Sequence, residues 1–252
     1  MSDLTVRRFR ARDGVELAWR EIGDGRPVVL LHGLMGSGAL MASHGPARAI
    51  AEGGYRVILP DMRGNGDSGR PHDPARYPPD VLADDQLALI EHLGLGAYHL
   101  GGYSMGGKVV LRLLARGARP TGAIVGGQGL DALDAQSDRT DGHRRLLAAL
   151  VNGDAFEPGS PEEGIAQWVR QTGADPRAVL LVLDSFVATQ KEALREVPTP
   201  TLVVVGDDDS RGASAGELAA LLPNGRVVRV PGDHGTALAA PEFTDAVLNF
   251  LQ

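Results

Sequence analysis

Three residue types that together can split an acyl bond stand at turns of this chain. Gly102-Tyr103-Ser104-Met105-Gly106 spells G-x-S-x-G between an apolar run, Tyr98-His99-Leu100, and a helical pattern from Val109 to Ala115. On so tight a strand-to-helix turn the serine backbone is strained. Flanking glycines relieve the crowding and leave the hydroxyl clear at the strand end. A serine hydroxyl attacks poorly at neutral pH until a base takes its proton and a carboxylate orients that base. Candidates for both lie late in the chain. His234 sits in Pro231-Gly232-Asp233-His234-Gly235 after the strand-like Arg226–Val230, and Gly206-Asp207-Asp208-Asp209 follows the apolar Thr201–Val205. Carboxyl ends of parallel strands converge on one sheet edge, which would bring these loops together. The residues alone leave the acid open among Asp207, Asp208 and Asp209. Asp207, at a strand exit, is placed to satisfy turn amides. Asp233 is a fourth candidate, disfavoured because adjacency to His234 hinders a bond to Nδ1.

Two other motifs fail on context. Gly102 to Lys108 also reads G-x-x-x-x-G-K, but Val109 stands where a Mg²⁺-binding Ser or Thr is needed. Gly64, Gly66 and Gly69 satisfy G-x-G-x-x-G, yet Arg70-Pro71-His72-Asp73-Pro74 follows where a helix should open. No metal-ligand spacing of the H-E-x-x-H kind occurs, so neither a metal nor a cofactor is implied.

The positioning elements can be read from hydropathy. Strand-like runs recur at Thr5–Phe9, Leu17–Ile22, Val28–Leu31, Arg56–Leu59, Tyr98–Gly102, Ala123–Val125, Thr201–Val205 and Arg226–Val230. The first two carry polar residues and read as an antiparallel edge ribbon. The middle ones are continuously apolar, as parallel strands covered on both faces must be. Helical patterns at Val81–Leu93, Met105–Arg116, Gly216–Leu222 and Pro241–Leu251 alternate with them, which predicts an α/β class with a mostly parallel eight-stranded sheet. From Leu130 to Val197 only helix signals occur. Ser160-Pro161-Glu162-Glu163 carries an N-cap serine, a first-position proline and a capping-box glutamate, and Asp175-Pro176 opens a second helix. Residues 1–129 and 198–252 are thus expected to form the core domain and 130–197 an insertion.

At 252 residues, with 43% apolar and 23% charged content, the chain fits one sizeable core. A net charge of −7 argues against nucleic acid as a partner. No cysteine is present, which excludes disulfides and thiolate metal sites. No apolar run approaches membrane-spanning length, so the cytoplasm is the expected compartment and no membrane partner is expected.

With these motifs the chain resembles the α/β-hydrolase family from about Leu17 to Leu251. That resemblance implies Ser104 as nucleophile, His234 as base and, from the spacing after Gly206, Asp209 as acid. His32-Gly33-Leu34-Met35-Gly36 matches the family's H-G element, which implies an oxyanion hole from the backbone N–H groups of Leu34 and Met105, with His32 ordering the loop. Asp61-Met62-Arg63-Gly64-Asn65-Gly66-Asp67-Ser68 matches a family loop that shapes the pocket floor. The insertion corresponds to a small helical cap. Apolar residues beside the hole and in the cap (Met35, Phe156, Trp168 and Phe186) are expected to line the pocket, although such side chains are more often core filler. The implied activity is hydrolysis of a small, apolar carboxylic ester or lactone through an acyl-enzyme. The same fold also hosts C–C bond hydrolases, lyases and non-enzymatic ligand receptors.

Overall fold

A computed structural model describes residues 4–136 and 138–252. In chain order the described residues form β1 (Arg7–Arg10), β2 (Glu16–Ile22), β3 (Arg26–Leu31), α1 (Gly38–His44), α2 (Ala47–Glu52), β4 (Tyr55–Asp61), α3 (Val81–His92), β5 (His99–Tyr103), α4 (Met105–Ala115) and β6 (Gly122–Gly126). There follow α5 (Asp138–Asn152), α6 (Pro161–Thr172), α7 (Pro176–Asp184), α8 (Lys191–Arg195), β7 (Thr201–Gly206), α9 (Ala215–Leu221), β8 (Gly225–Val230) and α10 (Pro241–Leu251).

The strands make one eight-stranded sheet in the order β1-β2-β4-β3-β5-β6-β7-β8. β1 and β2 pair antiparallel, β2 pairs antiparallel with β4, and every other pairing is parallel. Alternation of side chains along the strands divides the core in two. Val29, Leu31, Ile58, Leu100, Val125, Val203 and Val205 face one layer with residues of α3, α4 and α9. Val28, Leu30, Val57, Leu59, Ile124, Leu202 and Val204 face the other with residues of α1, α2 and α10. Such two-sided burial is why the central strands carry almost no polar residue, and each buried Val or Leu contributes about 1.5–3 kcal/mol.

The segment between β6 and β7 contains no strand among its described residues. Ser160 caps α6 by accepting from Glu163 N at 3.1 Å, and the Glu163 carboxylate reaches back to Gly159 N at 2.5 Å, one residue before the cap. Asp175 caps α7 through Arg177 N and Ala178 N. Leu147, Val169, Val179 and Leu183 of α5, α6 and α7 bury against one another and against Met35 of the β3–α1 loop. Helix α8 differs: its Leu194 packs into the main core, so the helices lying against the β3–α1 loop end with α7.

Arg63 anchors the loop after β4. Its guanidinium makes a two-bond pair with Asp85 of α3 at 2.8 and 2.9 Å and another with Asp13 at 2.6 and 2.9 Å. Arg63 is 1% exposed and Asp85 2%. Burial pushes the Asp85 carboxyl up to about 6, against the pull of Arg63. Arg63→Met should therefore lower unfolding free energy by about 3–5 kcal/mol, because it leaves a buried carboxylate without its cation. A carboxyl whose folded pKa lies above its unfolded value of about 4 loses stability as pH rises through the folded value. Removing Arg63 moves that folded value higher, so the gap between wild type and variant should widen above pH 6. Urea unfolding at pH 5 and pH 8 checks both size and sign.

Candidate active site

Ser104 lies between β5 and α4 with φ 54° and ψ −117°, the strained turn expected for a serine held out from a strand end. Crowding explains the glycines. A Cβ on Gly102 would stand 2.3 Å from the Gly106 carbonyl carbon, and one on Gly106 would stand 2.3 Å from the Leu31 oxygen. The turn is fixed on both sides of the serine: Ser104 N donates to Gly126 O at 2.9 Å, and Gln128 Nε2 donates to Ser104 O at 2.6 Å.

His234 and Asp209 arrive from the loops after β8 and β7. The Ser104 hydroxyl lies 2.9 Å from His234 Nε2, and His234 Nδ1 lies 2.8 Å from Asp209 Oδ2. Asp209 is 4% exposed, and its Oδ1 accepts from Arg211 N at 2.9 Å, so each of its oxygens has a donor. Backbone bonds tie the two loops together, Asp207 N to Val230 O at 2.8 Å and Asp208 N to Gly232 O at 3.1 Å. The side chains of Asp207 and Asp208 are exposed. Asp233 Oδ1 accepts from Gly235 N, Thr236 N and Thr236 Oγ1, a turn-capping task that holds its carboxyl below the usual range. Tyr103 supports the imidazole from the strand side. Its hydroxyl donates to His234 O at 2.7 Å, and the rings lie 5.2 Å apart.

The β3–α1 loop closes a turn through Gly36 N to Gly33 O at 3.0 Å, with Met35 in the left-handed region at φ 58°. Among the described residues, neither Leu34 N nor Met105 N donates to a protein acceptor. Leu34, Ser104 and Met105 line one small cavity together. His32 is fully engaged elsewhere: Nδ1 donates to Gly33 O at 2.7 Å and Nε2 accepts from Met62 N at 2.9 Å. Burial pulls its pKa down, so it stays neutral and orders the loop.

Ser104 stands where two unlike cavities join. The larger, about 780 Å³, is walled mainly by Leu34, Met35, Leu40, Met41, Ile165 and Trp168. The smaller, about 80 Å³, is mixed: polar groups of Lys108, Gln128, Asp131 and Thr140 share its wall with Met105, Leu183 and Phe186, and His143 and Arg211 border both cavities. Of the four pocket residues expected from the sequence, Met35 and Trp168 thus line the large cavity and Phe186 the small one. Phe156 lines neither. It sits on the loop between α5 and α6, half-exposed between exposed Ala155 and Glu157, because that loop turns away into solvent. The loop after β4 also departs from expectation. Asn65, Gly66 and Asp67 line a neighbouring cavity of about 330 Å³ and neither of the cavities at Ser104. Asp61 Oδ1 instead accepts from Gly38 N at 2.6 Å and so seats the start of α1.

Sequence reasoning missed Arg211, whose Nη1 lies 3.1 Å from Ser104 Oγ and 2.9 Å from His234 Nε2. Its one visible signal is placement two residues after Asp209. Lys108, discarded as a phosphate-loop lysine, also borders the site. Its ammonium lies 5.0 Å from the Phe186 ring centre and donates to Asp134 O, and burial pulls it down to about 8.

Among the described residues, no helix is long and apolar enough to cross a membrane. Residues 26–126 match the family model for the α/β-hydrolase fold. A non-heme haloperoxidase from Rhodococcus erythropolis is 30% identical over 277 aligned residues, which cover 96% of this chain and 98% of that protein. A bromoperoxidase structure from Bacillus anthracis superposes with a TM-score of 0.73 at 28% identity, covering 98% of this chain and 99% of that one. An esterase structure from Exiguobacterium antarcticum gives a TM-score of 0.78 at 22% identity, covering 98% and 99%, a likeness of fold. Sequence kinship over nearly the full length and the order of strands agree, and the chain belongs to the α/β-hydrolase family as one of its enzymes.

Proposed function

We propose that this enzyme is a serine hydrolase that cleaves small carboxylic esters or lactones through an acyl-enzyme. The observation that carries the reading is the unbroken relay from Ser104 Oγ through His234 to Asp209, at 2.9 and 2.8 Å. The guanidinium of Arg211 has no lone pair, so its approach to Nε2 requires that nitrogen to be unprotonated and puts the ring proton on Nδ1, facing Asp209. That is the tautomer a base needs. Ser104 Oγ attacks the carbonyl carbon while its proton passes to His234 Nε2. The carbonyl oxygen gains the negative charge, and the N–H groups of Leu34 and Met105 stabilise it at the junction of the cavities. Collapse expels the leaving oxygen, which takes the proton from His234. Water then adds to the acyl-serine with His234 again as base, releasing the acid and restoring Ser104.

A labelled fluorophosphonate combined with an ester and lactone panel tests the reading. Labelling with turnover of esters or lactones supports it. Labelling without turnover on any substrate would favour a ligand receptor, and turnover of vinylogous diketones alone would favour C–C cleavage.

The 780 Å³ cavity lies within the range of pockets that enclose small ligands. Its Trp168 wall belongs to the helical insertion, so that segment should set chain-length preference. Trp168→Ala should shift the optimum among p-nitrophenyl esters toward longer acyl chains, whereas Phe156→Ala should leave the ranking as it is. An unchanged ranking in Trp168→Ala would remove the insertion from specificity.

A further inference from the structure

We propose that the small chamber beside Ser104, bordered by two cationic side chains, takes a carboxylate of the substrate, with Arg211 as its recognition group, so that the enzyme prefers esters carrying an anionic arm. This rests on the serine-hydrolase reading and adds the substrate class. The two cavities that meet at Ser104 differ in chemistry, and Arg211 and His143 stand on the border of both. One is a large apolar hall suited to a hydrocarbon arm. The other, about 80 Å³, has room for a carboxylate or a few waters and is bordered by Arg211 and Lys108, with Gln128, Thr140 and His143 as further polar neighbours. Among the described residues, Asp131 is its one acidic wall residue. An apolar ester would leave the two cations of the smaller chamber without an anionic partner from the substrate. A planar guanidinium matches a carboxylate with two parallel bonds.

The position of Arg211 gives the preference a second source. Its Nη1 donates to the Nε2 lone pair that must receive the Ser104 proton, and it also touches Oγ. With no anion present, the guanidinium competes with the nucleophile for the base. A carboxylate in the chamber draws the guanidinium onto itself and returns the lone pair to Ser104. Lys108 on the chamber wall adds positive charge, and its lowered ammonium pKa reflects burial that a nearby anion would offset.

The test compares matched pairs in the wild-type enzyme and in Arg211→Leu and Arg211→Gln. One pair carries the charge on the acyl arm (p-nitrophenyl hydrogen glutarate against p-nitrophenyl pentanoate). The other carries it on the leaving arm (the butyrate ester of glycolate against ethyl butyrate). Wild type should favour the charged member of at least one pair by about 10- to 100-fold in kcat/KM, the scale of a charge-assisted hydrogen bond. In both variants that ratio should fall to near unity, through slower cleavage of the charged ester and faster cleavage of the neutral one. Equal or better cleavage of the neutral esters by wild type would overturn the proposal without recourse to any variant. So would a parallel fall of both esters in the variants, which would make Arg211 a positioning residue only. Failure here with Ser104 still labelled by a neutral fluorophosphonate leaves the hydrolase reading standing; no labelling and no ester turnover would sink both.

Discussion

Ser104→Ala should lower kcat by about 10⁴–10⁶-fold and abolish covalent labelling by a fluorophosphonate. The size follows from the geometry. Oγ is the atom that faces Nε2 at 2.9 Å. Stability should barely change, because the turn is held by Ser104 N to Gly126 O and Gln128 to Ser104 O, both backbone groups that alanine keeps. Matching thermal unfolding curves would separate lost chemistry from lost structure. A variant that still turns over at near wild-type rate would remove Ser104 from the mechanism.

The second large effect belongs to Asp209. Asparagine there preserves shape but places an amide where the carboxylate accepts from His234 Nδ1–H. Its oxygen can serve Arg211 N or the imidazole but not both. An NH₂ facing Nδ1 favours the tautomer protonated on Nε2, which cannot accept from serine. Asp209→Asn should therefore cost about 10⁴-fold in kcat, with KM little moved. Asp207→Asn and Asp208→Asn should stay within a few-fold, since their side chains are exposed and it is their backbone amides that stitch the loops. Asp233→Asn should loosen the turn before His234 and fall between. A steeper fall at any of these three would reassign the acid.

The central strands were legible because they are apolar on both faces and the outer ones because short apolar runs stand between turns, and all eight fall within about two residues of their sequence-read bounds. Helices α1 and α2 were not, for a physical reason. They are seven and six residues long, rich in small side chains and separated by Gly45-Pro46, so no apolar stripe of helical period forms. The capping signals at Ser160 and Asp175 marked two helix starts in the insertion correctly, because each depends on local bonds. Phe156 shows the opposite case. Apolar character alone cannot say which way a loop residue turns. The separation of Asp209 from its two neighbours came from family resemblance in the sequence, and from burial and bonding in the structure. Arg211 was hidden because a long side chain on a loop reaches a site through the path of the backbone, which no spacing rule records.

The acyl-enzyme itself is the most direct measure of the account. p-Nitrophenyl esters have a good leaving group, so acylation is fast and deacylation limits turnover, which lets the acyl-enzyme accumulate. Acid quenching during steady turnover of p-nitrophenyl butyrate, followed by digestion and mass spectrometry, reads where the butyryl group sits. The account predicts a butyryl mass on the peptide containing Ser104 and on no other, appearing with a burst of nitrophenol. Steady turnover with no adduct at Ser104, or with the acyl group on a different residue, would contradict it.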